Sequence, residues 1–137
     1  MKPMQDRCFL DTNILLYLLS DDAPKKEIAK KLLKENHGIS IQVLNEFSNV
    51  SLRRFKLSVN ETKEIIDKIS QSCKVYPYNK ETILSALDLK ERYRYQFYDS
   101  LILATALENN CTVVYSEDMQ HNHILEDRLT IVNPFER

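Results

Sequence analysis

The stretch CFLDTNILLYLLS, residues 8–20, places one charged and two polar residues between two apolar runs. The first run, CFL, is typical of a short buried strand, and the second run predicts a short apolar helix. Asp11 therefore stands where the strand ends and the helix begins. A single acid at such a position is usually a turn residue. Whether Asp11 has a functional role depends on whether other acids lie close to it in the folded chain.

The chain has 137 residues, a length that suits one domain with one core, and we expect that domain to span residues 1–137. Its formal net charge of -1 gives no overall basic footprint, so any contact with nucleic acid must come from a local patch. The three cysteines, which share no metal-like spacing, are predicted to be buried thiols. Without a signal peptide or an apolar run of roughly 20 residues, we expect a cytoplasmic protein with no membrane partner.

Short strands alternate with helices along the sequence. The predicted strands are RCFL, ISI, KVYPY, CTVVY and LTIVN, and helical patterns fill the segments between them. Such an order implies crossover connections, so we expect an α/β fold, a three-layer α/β/α sandwich around a central parallel sheet of about five short strands. Two helix boundaries are predicted from local signals, with one helix ending at Gly38 and another capped near Asn60.

Four acids are expected to meet at one edge of this sheet, where ligands of parallel α/β proteins bind. Asp11 follows the first strand, Glu46 lies early in the helix after ISI, and Asp118 follows the fourth strand. Asp99 opens the helix that leads into the fourth strand. Because a crossover helix runs antiparallel to the strands, the start of this helix lies at the same edge.

Each acid alone has an ordinary explanation as a turn, cap or surface residue. Together they would repel one another and raise one another's pKa, at a cost of several kcal/mol in a partly buried site, unless a cation offsets their charge. Oxygen ligands suit a hard divalent cation, and Mg²⁺ or Mn²⁺ fits best. Such a site indicates phosphoryl chemistry, in which the metal activates a water. Asn13 and Ser116 are expected to orient the acids.

Four segments carry a family resemblance: FLDTNILLYLL, ISIQVLNEF, FYDSLILATALENNCTVVYSEDM and IVNPF. By their order and spacing, the chain resembles a PIN domain over essentially its whole length, and in particular the VapC-type ribonuclease toxins of prokaryotic toxin–antitoxin pairs. The resemblance implies a metal-dependent endoribonuclease that hydrolyses RNA phosphodiester bonds. It also implies a homodimer and an antitoxin protein that holds the toxin inactive.

Carried over by position, the resemblance implies that Asp11, Glu46, Asp99 and Asp118 form the catalytic acidic quartet that holds Mg²⁺ or Mn²⁺. Asn13 matches the polar residue two positions after the first acid, and Ser116 matches the Ser or Thr before the last acid. The family pattern of Ser or Thr, any residue, then Asp favours Asp118, which leaves Glu117 as a possible additional acid. Glu46, with the metal, is expected to position or deprotonate the attacking water.

Further residues are candidates for contact with RNA phosphates, although a solvated surface explains them equally well: Arg53, Arg54, Arg92 and Arg94. The tyrosines around the last two, Tyr93, Tyr95 and Tyr98, are predicted chiefly to pack. Two other functions stay open on the sequence. One is a housekeeping RNA-processing nuclease of the same family, and the other is a non-catalytic RNA- or protein-binding module on the same fold.

Overall fold

The computed structural model describes residues 7–136, in which six strands form one sheet. The strands are β1 (Cys8–Leu10), β2 (Gly38–Ser40), β3 (Lys74–Tyr76), β4 (Val113–Tyr115), β5 (Ile124–Leu125) and β6 (Leu129–Val132). The helices are α1 (Thr12–Leu16), α2 (Ala23–Lys34), α3 (Ile41–Arg53), α4 (Val59–Ser72), α5 (Lys80–Tyr93) and α6 (Phe97–Glu108). A short 3₁₀ turn, Tyr17–Leu19, continues α1.

The strand order is β3-β2-β1-β4-β6-β5, and every pairing is parallel except that of β5 with β6. The predicted α/β fold with a central parallel sheet is confirmed for the five predicted strands, which are all present and pair in parallel, whereas a sixth strand is antiparallel. The strand β5, which has two residues and forms a hairpin with β6, was not predicted. Two residues are too few to show an alternating pattern.

The core is built from the sheet and from the buried faces of the helices around it, and α6 is the most completely buried of these helices. Phe9 and Leu10 in β1 have no exposed surface, and every residue of α6 from Ser100 to Leu107 is buried. A helix that is apolar on all sides belongs inside a protein, because it has no face suited to water. The burial of α6 fixes the position of its first turn, which carries Asp99. All three cysteines are buried thiols, as predicted.

Two predicted helix boundaries were wrong. The helix α2 ends at Lys34, four residues before the predicted end at Gly38, and Asn36, just beyond it, has the left-handed φ of 58°. Gly38 instead begins β2. The helix α4 is capped by Ser58, whose side chain accepts a hydrogen bond from the backbone N–H of Glu61 while the Glu61 side chain accepts one from the backbone N–H of Ser58.

Candidate active site

Asp11 lies at the centre of the candidate site, directly after β1, and is 5% exposed. Its Oδ1 accepts a hydrogen bond of 2.7 Å from the backbone N–H of Thr12, at the start of α1. Because β1 pairs in register with β4, the residue that follows β4 lies beside Asp11. That residue is Ser116, whose hydroxyl donates to Asp11 Oδ2 at 2.9 Å.

Glu46 reaches the same edge from the second turn of α3, which begins directly after β2. Its Oε1 accepts a hydrogen bond of 2.9 Å from Gln42 Nε2 and a longer one of 3.4 Å from the Thr12 hydroxyl. Gln42 Nε2 also donates to the backbone carbonyl of Tyr98 at 2.9 Å. Gln42 therefore links Glu46 to the first turn of α6, where Asp99 follows Tyr98.

Asn13 connects the first acid to the last. Its side-chain Nδ2 lies 3.2 Å from Asp11 Oδ2 and 3.0 Å from Asp118 Oδ2, so one amide group donates to both carboxylates. The Asn13 Oδ1 accepts a hydrogen bond of 3.2 Å from the backbone N–H of Glu117, which fixes the orientation of the amide. Asn13 and Ser116 thus both contact the predicted acids, and their role in orienting metal ligands stays a prediction.

The pKa values of three of the acids reflect burial and their mutual charge. Burial raises the pKa of Asp11 to about 7, a hydrogen bond from Ser116 opposes this rise, and the charges of Asp99 and Glu46 add to it. Burial likewise raises the pKa of Asp99, with a further increase from the charges of Asp118 and Glu46. Burial is also the main cause that raises the pKa of Glu46. Electrostatic interactions thus connect all four predicted acids.

No positively charged side chain neutralises this cluster within residues 7–136, because no ion pair there includes any of the four carboxylates. In the same part of the chain, no three His, Cys, Asp or Glu side chains lie close enough together to form a metal-ligand group. The acids therefore share one edge of the sheet without forming a ready-made ligand shell. Their identification as metal ligands stays a prediction.

The side chain of Glu117 points away from the four acids. It accepts hydrogen bonds from the Tyr17 hydroxyl and from Lys25 Nζ, and it forms an ion pair with Lys25 at the start of α2. Partial burial acts to raise the pKa of Glu117, but these two hydrogen bonds hold it below its ordinary value. The side chain of Asp118, and not that of Glu117, contacts Asn13.

The four candidate arginines occupy different surroundings. Arg53 and Arg54 are exposed at the end of α3, and the guanidinium carbon of Arg54 lies 5.4 Å from the centre of the Phe55 ring. Arg92 forms an ion pair with Glu126, and Arg94 ends α5 with a left-handed φ of 69°. The prediction that these arginines contact RNA stays a prediction.

The neighbouring tyrosines pack only in part. Tyr93 and Tyr95 lie partly buried against the core, as predicted. Tyr98, next to Asp99, is 66% exposed, which differs from the packing predicted for it.

Comparison with known proteins identifies the family of the chain. A family model described as the PIN domain matches residues 8–125, most of the chain. The chain belongs to the PIN domain family. The resemblance stated above is thereby confirmed, and membership of this family of nucleases supports the prediction of a nuclease. A comparison with curated proteins gave no match.

Several solved structures share this PIN fold. A toxin–antitoxin complex from Klebsiella pneumoniae has a TM-score of 0.72 and 20% identity, covering 95% of this chain and 99% of that one. VapC20 from Mycobacterium tuberculosis, described as a toxin that cleaves the sarcin–ricin loop, has a TM-score of 0.66 and 19% identity, covering 81% of this chain and 89% of that one. VapBC2 from Rickettsia felis, bound to a DNA fragment from its promoter, has a TM-score of 0.66 and 17% identity, covering 90% of this chain and 96% of that one.

Sequence reasoning missed two residues of the site, Gln42 and Thr12, which both donate to Glu46. A signal for Gln42 was present, because Gln42 and Glu46 are four residues apart on one helix and so lie on the same face. Within residues 7–136, no helix has both the length and the apolar character needed to cross a bilayer.

Proposed function

We propose that this PIN domain is a metal-dependent endoribonuclease and the toxin of a toxin–antitoxin pair. The observation that carries the proposal is the group of four acids at one edge of the sheet, with a buried Asp11 whose pKa is raised to about 7 and with no ion pair to offset the charge among the described residues. Such a group is costly unless it binds a cation or a proton.

The donor set fits Mg²⁺ or Mn²⁺. Asp11, Glu46, Asp99 and Asp118 offer only carboxylate oxygens, which hard divalent cations prefer, and the excess negative charge favours a doubly charged ion. When bound, such a metal supplies Lewis acidity and lowers the pKa of a water. The hydroxyl of Ser116 donates to Asp11, and the amide of Asn13 donates to both Asp11 and Asp118, so these two residues would help to orient the carboxylates as they close on the metal.

Glu46 is suited to manage a proton. Its pKa is raised by burial, while hydrogen bonds from Gln42 and Thr12 keep the carboxylate form accessible. Both of these donors bind Oε1. We therefore assign to Glu46 the role of positioning or deprotonating the attacking water, and to the three aspartates that of holding the metal.

A cleavage assay tests the nuclease. Purified protein is incubated with a labelled single-stranded RNA in Mg²⁺, in Mn²⁺ and in EDTA, alongside Asp99→Asn and the control Asp88→Asn, which makes the same change at an exposed acid on α5. We expect cleavage that needs metal, persists in Asp88→Asn and falls at least 100-fold in Asp99→Asn. Equal cleavage by the two variants would refute the assignment, and the non-catalytic binding module would then lead.

Toxin function is tested separately, because a housekeeping nuclease would give the same cleavage. The solved structures similar to this chain include toxin–antitoxin complexes, which supports a protein partner. Expression of the chain in a bacterial host should arrest growth, and co-expression of the small reading frame encoded beside it should restore growth and inhibit cleavage in vitro. Normal growth under strong expression of an active nuclease would favour the housekeeping alternative.

A further inference from the structure

A cavity of about 270 Å³ opens beside the acids and shares two wall residues with them, Asn13 and Asp118. Tyr17, Arg54 and Phe55 also line it. We call this cavity the aromatic pocket. The aromatic pocket therefore places two aromatic rings and one cation next to the edge of the sheet where the scissile phosphate would lie.

The Tyr17 side chain is held in place before any ligand binds. Its hydroxyl donates to Glu117 and accepts from Lys25 Nζ at 3.2 Å, and its ring meets the edge of Phe135 with 5.0 Å between ring centres. Glu117 also lines the pocket, but Lys25 neutralises its charge. Glu117 therefore repels an anion in the pocket less than an unpaired carboxylate would.

Arg54 gives the pocket a cation with no acidic partner. Within residues 7–136 it forms no ion pair, whereas Arg92 is paired with Glu126 and lines a different cavity. Arg53, the preceding residue, is equally exposed but does not line the aromatic pocket. Arg53 and Arg54 thus carry the same charge, but only Arg54 lines the aromatic pocket.

We propose that the aromatic pocket binds the unpaired ribonucleotide next to the scissile phosphate. The base lies against Tyr17 and Phe55, and Arg54 binds a phosphate of that nucleotide. Aromatic rings and a cation together suit a nucleotide, which carries a flat base and a negative charge, and they accept single strands because paired bases cannot reach a ring. The inference rests on the proposed nuclease function and adds to it the site that receives the substrate strand.

Binding is measured without cleavage, so that the two proposals can fail independently. The Asp99→Asn chain is titrated, in Mg²⁺, against fluorescently labelled 12-nucleotide single strands of U, A and C, and anisotropy gives Kd. Phe55→Leu and Arg54→Gln are added to this background, with Arg53→Gln as the matched control. Phe55→Tyr keeps the ring and tests whether an aromatic side chain is the feature required.

We expect Phe55→Leu and Arg54→Gln each to raise Kd by about fivefold or more, the lower end of the effect of losing one stacked base. Arg53→Gln should raise Kd clearly less than Arg54→Gln, because Arg53 does not line the aromatic pocket, and Phe55→Tyr should bind like the parent. The slope of log Kd against log salt should decrease by about 0.7 in Arg54→Gln and stay constant in Phe55→Leu, because only the arginine neutralises a phosphate.

If Phe55→Leu and Arg54→Gln bind RNA as Arg53→Gln does, the pocket proposal is overturned, while metal-dependent cleavage by the parent still supports the nuclease. If the Asp99→Asn chain binds none of the three RNAs measurably, the pocket proposal is also overturned. A loss of metal-dependent cleavage in the parent refutes the nuclease itself, whatever the binding assay gives.

Discussion

Asp11 combines burial with a position among other acids, and this costs stability when no metal is bound. Its pKa in the folded protein is about 7, against an ordinary value of about 3.8. Between these two pH values the folded chain holds a proton that the unfolded chain has released, so stability falls as pH rises from about 4 to about 7. This rise in the pKa of Asp11 corresponds to a loss of about 4 kcal/mol in the free energy of unfolding above pH 7.

Asp11→Asn should therefore stabilise the metal-free protein at high pH. The amide keeps the shape of the side chain, carries no charge and can still accept from the Thr12 N–H, but its NH2 group would face Ser116 and Asn13, which donate to Oδ2 in the parent, and this reduces the gain. In EDTA we expect the melting temperature to rise by roughly 5–10 °C at pH 8 and by clearly less at pH 5. Asp88→Asn, at an exposed acid, is the control. An equal gain at both pH values would contradict the raised pKa of Asp11.

Gln42 is predicted to position Glu46. It is 3% exposed, and its Nε2 donates to both Glu46 and the carbonyl of Tyr98. Gln42→Leu removes a hydrogen bond that lowers the pKa of Glu46. The pKa of Glu46 should therefore rise, and the acid limb of the pH profile for kcat should move to higher pH.

The expected loss in kcat for Gln42→Leu is about 10-fold, equivalent to roughly 1.4 kcal/mol of lost hydrogen bonding, with little change in KM for RNA. Asn45→Leu, an exposed site on the same helix, serves as the control and should retain the parent profile. A lower kcat with an unchanged pH profile would indicate that Gln42 stabilises the fold without adjusting Glu46.

At the scale of elements, Gly38 illustrates a residue whose role depends on a distant neighbour. A Cβ added to Gly38 would lie 2.5 Å from Cε2 of Tyr76, which is buried and stacks on Phe9. The ring therefore has little room to move. Gly38→Ala should destabilise the protein by about 1–3 kcal/mol, measured by urea unfolding, because it overpacks this contact.

A double variant identifies the cause of that loss. In a Tyr76→Leu background the ring is gone, so Gly38→Ala should cost clearly less than in the parent, and the difference gives the coupling between the two positions. If Gly38→Ala costs the same in both backgrounds, the close approach to Tyr76 is not the reason that glycine is required.

The sequence predicts the parts of this molecule that depend on local pattern, and it misses those that depend on distant contacts. The five parallel strands and the edge at which Asp11 and Asp118 lie follow from apolar runs and chain order. The reason for Gly38 lies in a ring 38 residues away. The pairing of Glu117 with Lys25 joins residues 92 positions apart, and no local signal reveals it.

At the scale of the whole molecule, the sheet order brings the acids together. β1 lies between β2 and β4, so the segments that follow these three strands meet at one edge and supply Asp11, Glu46 and Asp118. The buried α6 brings its first turn to the same edge and adds Asp99. All four acids come from one chain, so the site does not need a second copy to be complete.

A homodimer is nevertheless predicted, and α5 offers a surface on which a second copy of the chain could pack. Ile83, Leu84 and Leu87 on this helix are 36%, 52% and 49% exposed, and their spacing places them on one face. Exposed apolar groups in such a row mark contact surfaces. We expect light scattering to give twice the 16.1 kDa of one chain, and Leu84→Lys with Leu87→Lys to give the mass of the monomer.

The matched control places the same charges on another exposed apolar site. Leu52→Lys with Val59→Lys, on α3 and α4, should leave the mass of the dimer unchanged. The monomeric α5 variant should still cleave RNA, because each chain carries its own four acids. A parent of 16.1 kDa, or dissociation by the control pair alone, would contradict the α5 interface. A monomer without activity would mean that the partner chain supports the site through contacts beyond the acids.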